Sequence, residues 1–109
     1  LFRGRLDAYE LRAPCSRGEP VEVEIASGCV MLVRTDALRG VGGFNEDFFL
    51  YFEDFDLSLR IASQGSLVFE PAMRVVHHGG YAARKGWGHV KLFVRSGVHF
   101  FRLHGWRWV

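Results

Sequence analysis

Between Val21 and Leu103 the apolar and polar positions change rhythm several times. Val21-Glu22-Val23-Glu24-Ile25 alternates strictly, apolar then acidic, which predicts a half-buried strand. Ser27-Gly28 interrupts it. Cys29 to Arg34 is then a short apolar run, which predicts a buried strand. Thr35 or Asp36 can cap a short helix through Arg39, with Gly40 as its end. Gly42-Gly43 reads as a turn. From Asp54 the spacing turns helical: Phe55, Leu59 and Ala62 share a face, Asp56 and Arg60 form an i,i+4 pair, and Gly65 closes the helix. Leu67-Val68-Phe69 predicts a strand ended by Pro71, and Val75-Val76 another before the turn His77-His78-Gly79-Gly80. Over residues 84–104 an apolar stripe at Trp87, Val90, Val94, Val98 and Phe101 predicts a basic amphipathic helix, weakened by Gly86, Gly88 and Gly97. Residues 1–20, punctuated by Pro14, Ser16, Gly18 and Pro20, read as a loop-like lead-in.

The resulting order is β, short α, acidic loop, α, β, β, α, an α/β class with a mixed sheet and flanking helices. With 109 residues the chain makes one small domain, too short for a complete doubly wound sheet with its own nucleotide pocket. A hydrophobic share of 49% supplies a core and argues against disorder. No apolar run approaches the length of a transmembrane helix, and no secretory leader is visible in the first thirty residues. Cys15 and Cys29 make no metal-ligand or redox pattern; Cys29 reads as a small buried hydrophobe, and a reducing cytoplasm is the default.

Charge sharpens this picture. Residues 1–70 hold all twelve acids and seven Lys/Arg; residues 71–109 hold seven Lys/Arg and no acid. The basic C-terminal part, with aromatic residues interleaved, predicts contact with something anionic. The acids concentrate instead in Gly42 to Arg60, GGFNEDFFLYFEDFDLSLR, where five carboxylates stand among five phenylalanines and Tyr51. Water is excluded among such rings, and charge placed there is costly. A helix start that attracts acids explains part of it; the order of the residues explains more.

That order resembles the family-2 glycosyltransferases, specifically the C-terminal half of their GT-A (Rossmann-like) catalytic domain. The matching stretches are Ser27-Gly28-Cys29-Val30-Met31-Leu32-Val33-Arg34, then Val41-Gly42-Gly43-Phe44-Asn45-Glu46, then Phe48-Phe49-Leu50-Tyr51-Phe52-Glu53-Asp54-Phe55-Asp56-Leu57, followed by Arg60, Gly65 and the His77-x-Gly79-Gly80 turn. The rhamnosyltransferase-like members that build bacterial cell-surface polysaccharides are the nearest in look, and the basic aromatic end Phe93 to Gly105 is also similar to theirs. Asn45 stands where that family usually has Asp, which changes a turn contact rather than the chemistry.

The resemblance implies a single partial domain: the acceptor-side half of an inverting, nucleotide-sugar-dependent transferase whose donor half is absent here. The chain alone is therefore expected to be inactive. An acceptor hydroxyl attacks the sugar from the face opposite the departing diphosphate and needs a general base, for which a carboxylate in reach is suited. The family pattern makes Asp54 that base and Glu53 its neighbour in the acceptor pocket, with Gly28 and Phe49 also binding substrate. It implies a divalent metal, Mg or Mn, in the intact enzyme, with His77 as a contact. Asp54-Phe55-Asp56 spells D-x-D, but helical residues two apart point roughly 200° away from each other and cannot share one cation. His89, His99 and His104 carry no ligand signature.

The resemblance implies a nucleotide-sugar donor and a glycan or lipid-linked acceptor as partners. The basic residues Arg84, Lys85, Lys91, Arg95, Arg102 and Arg107, beside Trp87, Phe100, Trp106 and Trp108, predict peripheral contact with an anionic membrane surface, at the inner face of the cell membrane. The competing readings are a non-catalytic fragment and a basic, aromatic module for nucleic acid or an anionic surface. Nucleic acid is not expected, because the acidic block would repel phosphate.

Overall fold

The computed structural model describes residues 17–78 and 86–106. It is mixed α/β: β1 (Val21–Val23), α1 (Thr35–Gly40), α2 (Glu53–Ile61), β2 (Leu67–Phe69) and α3 (Trp87–His104). β1 and β2 form a two-stranded antiparallel sheet with Val21 opposite Phe69, Glu22 opposite Val68 and Val23 opposite Leu67. The alternation in the sequence is visible in the burial. Val21 and Val23 are half-buried and Glu22 is exposed, and β2 repeats the pattern. Strand β2 stops before Pro71, which has no N–H to add to a ladder.

Helix α1 forms where expected, but not by the expected cap. Arg34 occupies the cap position without a side-chain capping hydrogen bond, and Asp36 sits inside the first turn, accepting from the Ala37 amide at 2.9 Å. Gly40 belongs to the helix. The exit is made by Gly42 and Gly43, both at positive φ, whose amides close back on Arg39 and Leu38. Asn45 makes the following turn: its Oδ1 accepts from the Asp47 amide at 3.0 Å.

The core lies where α2, α3 and the aromatic loop meet. Phe48, Leu57, Ile61 and Phe100 are its buried apolar residues. Phe52 stands at the centre of the ring cluster, with centroids 5.2 to 5.6 Å from Phe93, Phe100 and Phe55. Gly97 permits that approach, since a Cβ there would lie 3.3 Å from the Phe52 ring. Ser96, beside it, donates to the Leu50 carbonyl at 2.6 Å.

Several expectations are corrected. Cys29 to Arg34 is turn and coil, not a buried strand; Leu32 is 86% exposed, and Cys29 is exposed too. A strand needs a partner's ladder, and among the described residues only β1 and β2 pair. Val75-Val76 likewise carries no strand and is exposed. On α2 the buried residues are Asp56, Leu57, Ser58 and Ile61, while Ala62 is exposed. The helix ends at Ile61, ahead of Gly65, in a turn closed by the Ala62, Ser63 and Gln64 amides. Helix α3 begins at Trp87 and runs unbroken through Gly97. Its inward face is Ser96, Gly97 and Phe100; the expected stripe at Trp87, Val90, Val94 and Val98 faces outward. Residues 1–16 of the lead-in, together with Gly79, Gly80, Arg84, Lys85, Arg107 and Trp108, lie outside the described residues.

Candidate functional site at the start of α2

The chain reaches α2 through two consecutive non-glycine residues in the left-handed region, Tyr51 (φ 69) and Phe52 (φ 65). Such a conformation costs on the order of 1–3 kcal/mol per residue and persists only when the surroundings hold it. Here both side chains are held by α3. Tyr51 Oη shares a hydrogen bond with His89 Nδ1 at 3.1 Å, and Phe52 fills the notch at Gly97. The left-handed pair turns the chain sharply, so that Glu53 and Asp54 become the first two residues of α2.

Asp54 is not the N-cap; Phe52 occupies that position, with no side-chain cap. Instead the Asp54 carboxylate reaches across to the segment after β1. Its Oδ2 accepts from the Gly28 amide at 2.8 Å, and its Oδ1 from the Phe55 amide at 2.9 Å. Each oxygen retains a second lone pair. Gly28 is close for a reason: a Cβ there would lie 3.2 Å from Asp54 Cβ. Ser58, fully buried, ties the same two segments together. Its Oγ accepts from the Ala26 amide at 3.0 Å and donates to the Asp54 carbonyl at 2.7 Å.

Glu53 is different. Its Oε2 is buried and has no hydrogen-bond partner among the described residues. A buried carboxylate oxygen left without a donor is costly. Phe49, three residues before the left-handed pair ends, is 84% exposed, its ring standing off the domain.

The two aspartates of the D-x-D spelling do diverge. Asp54 faces Gly28, whereas Asp56 is buried and meets Arg60 Nε at 2.8 Å and His104 Nε2 at 2.7 Å. The Asp56–Arg60 pair follows from the spacing; the contact with His104, from the far end of α3, has no local signal. Nor has the role of Ser58, nor that of the Tyr51–His89 pair.

His77 lies in exposed chain after β2. Among the described residues no three His, Cys, Asp or Glu side chains converge as a metal site. These residues alone therefore do not build a cation site, and His77 offers a single ligand nitrogen.

What the sequence folds into is thus an α/β unit that displays two carboxylates at a helix start, one held by main-chain amides and one unsatisfied. Comparison with known proteins gives the relatives of this sequence. The chain is 38% identical over 96 residues to N-acetylglucosaminyl-diphospho-decaprenol L-rhamnosyltransferase of Mycobacterium tuberculosis, covering 83% of this chain and 31% of that protein; a second strain gives the same figures. It is 36% identical over 63 residues to rhamnosyltransferase WbbL of Escherichia coli, covering 57% of this chain and 24% of that protein. No family model matches, and no solved structure matches. The chain is similar to part of these rhamnosyltransferases and spans about a third or less of the length of the curated relatives it matches.

Proposed function

We propose that this chain is the acceptor-side part of an inverting rhamnosyltransferase with a GT-A catalytic domain. The enzyme takes a nucleotide-linked rhamnose as donor and a lipid-linked or other glycan acceptor of the cell envelope. It works at the cytoplasmic side of the membrane. The observation that carries the reading is the pair Glu53 and Asp54 at the start of α2, with Asp54 fixed by the Gly28 amide at 2.8 Å. The names of the relatives supply the reaction class and suggest the acceptor.

In this reading the acceptor hydroxyl oxygen forms a bond to the anomeric carbon as the bond from that carbon to the diphosphate breaks. The hydroxyl proton passes to Asp54, using a lone pair that the Gly28 and Phe55 amides leave free. Holding the base in one orientation is worth a large share of the barrier, because the reacting atoms then meet already aligned. Gly28 serves by its amide and by the absence of a side chain. Glu53, the neighbouring carboxylate, accepts from a second acceptor hydroxyl and orients the sugar. Phe49 offers an exposed ring face for stacking against it.

A divalent cation, Mg or Mn, belongs to the proposal for the intact enzyme, where it would offset charge on the departing diphosphate. His77 would contribute one nitrogen, with the remaining ligands from outside the described residues.

The test is transfer of rhamnose by the intact enzyme and its variants. Asp54→Asn is expected to lower kcat by about 10²–10⁴ with donor affinity retained. Glu53→Gln is expected to act mainly on the KM of the acceptor. Wild-type kcat in Asp54→Asn with a collapse in Glu53→Gln would move the base to Glu53. Unchanged activity in both would make the acidic pair structural.

A further inference from the structure

Helix α3 has two apolar faces, and among the described residues only one packs against the rest of the fold. The inward face, with Ser96, Gly97 and Phe100 buried, packs on the Tyr51–Phe52 turn and α2. The second is formed by Val90, Val94 and Val98, four residues apart and therefore in one narrow strip, since successive positions turn by about 100°. All three are exposed, Val94 at 56%, and Trp87 at the start of the strip is 82% exposed. Alongside run Lys91, Arg95 and Arg102, also exposed. Among the described residues none of these three pairs with a carboxylate. The helix contains no acidic residue at all. Among the described residues its carboxylate contacts come from other elements and reach only His99 and His104.

We infer that the outer face of α3 is a docking surface for a bilayer rich in anionic lipid. An apolar strip bordered by a row of unpaired cations, with tryptophan at the edge, fits a helix lying in the headgroup region. The valines and Trp87 enter the acyl boundary while the cations meet lipid phosphates. A covering protein segment would have to bury or pair the cations. A nucleic acid would use the cations and leave the valine strip unexplained. The inference does not depend on sugar transfer, because docking is read without activity.

The experiment is vesicle flotation of the full chain. Vesicles containing phosphatidylglycerol should carry the protein at low salt and release much of it at high salt, and vesicles of phosphatidylcholine alone should carry little. Lys91→Ala with Arg95→Ala should weaken binding about 30-fold, at about 1 kcal/mol for each cation near the surface. Val94→Ser should weaken it as well, with the melting temperature unchanged in both because these positions are exposed. Should the double variant melt early, the single changes Lys91→Gln and Arg95→Gln carry the comparison. Equal binding to both vesicle types, binding to neither, or binding indifferent to the variants would overturn the inference. So would an oligonucleotide that binds as tightly and competes for this face, or a dimer in solution that Val94→Ser disperses.

Discussion

His104, the last residue of α3, meets Asp56 in the first turn of α2 at 2.7 Å, across 48 positions of sequence. Asp56 is 1% exposed and also holds Arg60, whose Nη1 in turn donates to the Val41 and Gly43 carbonyls at 2.9 and 2.7 Å. One buried carboxylate therefore ties together the glycine turn, α2 and the end of α3. Removing one partner of such a set leaves the others uncompensated. Asp56→Ala should lower stability by about 3–5 kcal/mol. His104→Ala should cost less, about 1.5–3 kcal/mol, because Arg60 still satisfies the carboxylate. Denaturant melts of both variants check this order; a larger loss in His104→Ala would contradict it.

The amide contacts of Asp54 bear on how its variants must be read. Both oxygens accept from main-chain amides. Asparagine replaces one acceptor with a donor, which then faces an N–H. Asp54→Asn should therefore cost about 1–2 kcal/mol of stability even though its shape is nearly preserved. Transfer should fall far more than that loss of folded protein explains. The check is to measure kcat well below the melting temperature of the variant, with the melt recorded on the same sample.

Gly28 should tolerate little. A Cβ would sit 3.2 Å from Asp54 Cβ, so Gly28→Ala forces a shift of a few tenths of an ångström at the carboxylate. In the intact enzyme the expected result is a lower kcat with acceptor KM nearly unchanged, and a melting temperature within a few degrees of wild type. A purely structural role would show the reverse, a large drop in melting temperature with kcat retained.

At Gly97 two effects oppose each other. Alanine improves helix propensity by about 1 kcal/mol. Its Cβ would meet the Phe52 ring at 3.3 Å, a tight contact that the ring can relieve by tilting. Gly97→Ala should be close to neutral. Gly97→Val adds bulk with no room and should cost about 1–3 kcal/mol. It should also disturb the left-handed turn at Phe52, visible as shifted amide resonances for Glu53 and Asp54. Equal melts for the two variants would show that the notch is not tight.

Asp36 gives a titration that can be read residue by residue. The Arg34 guanidinium, hydrogen-bonded to its carboxylate at 2.9 and 3.1 Å, and the Ala37 amide hold it below the ordinary carboxylate range. A lowered pKa in the folded state contributes stability above the unfolded value, and that contribution is lost as pH falls through the folded value. The site is fully exposed, so the effect on the melt should be small. Arg34→Ala should return the Asp36 titration toward its ordinary value in a carbon-detected NMR titration, and no movement would show that the pair does not persist in solution.

The sequence determined by itself those features whose cause is local. The alternation of β1, the i,i+4 pairing of Asp56 with Arg60, the position of α1 and the helical spacing of α2 and α3 all depend on near neighbours. So did the carboxylate pair at a loop-to-helix junction, and with it the resemblance that the rhamnosyltransferase relatives support. Tertiary structure alone decided the rest. Cys29 to Arg34 has the composition of a strand, yet no strand lies beside it among the described residues, so composition misled. The apolar stripe of α3 was legible, but not which of its two apolar faces the core would take. Gly97 settled that, because only its missing side chain admits Phe52. Likewise Asp54 reads from sequence only as a carboxylate near a helix start, and in the fold it is gripped by the Gly28 amide, 26 positions away. Local rules report propensity and period. They carry no information on which distant amide, ring or imidazole closes on a side chain, because that follows from how the elements pack.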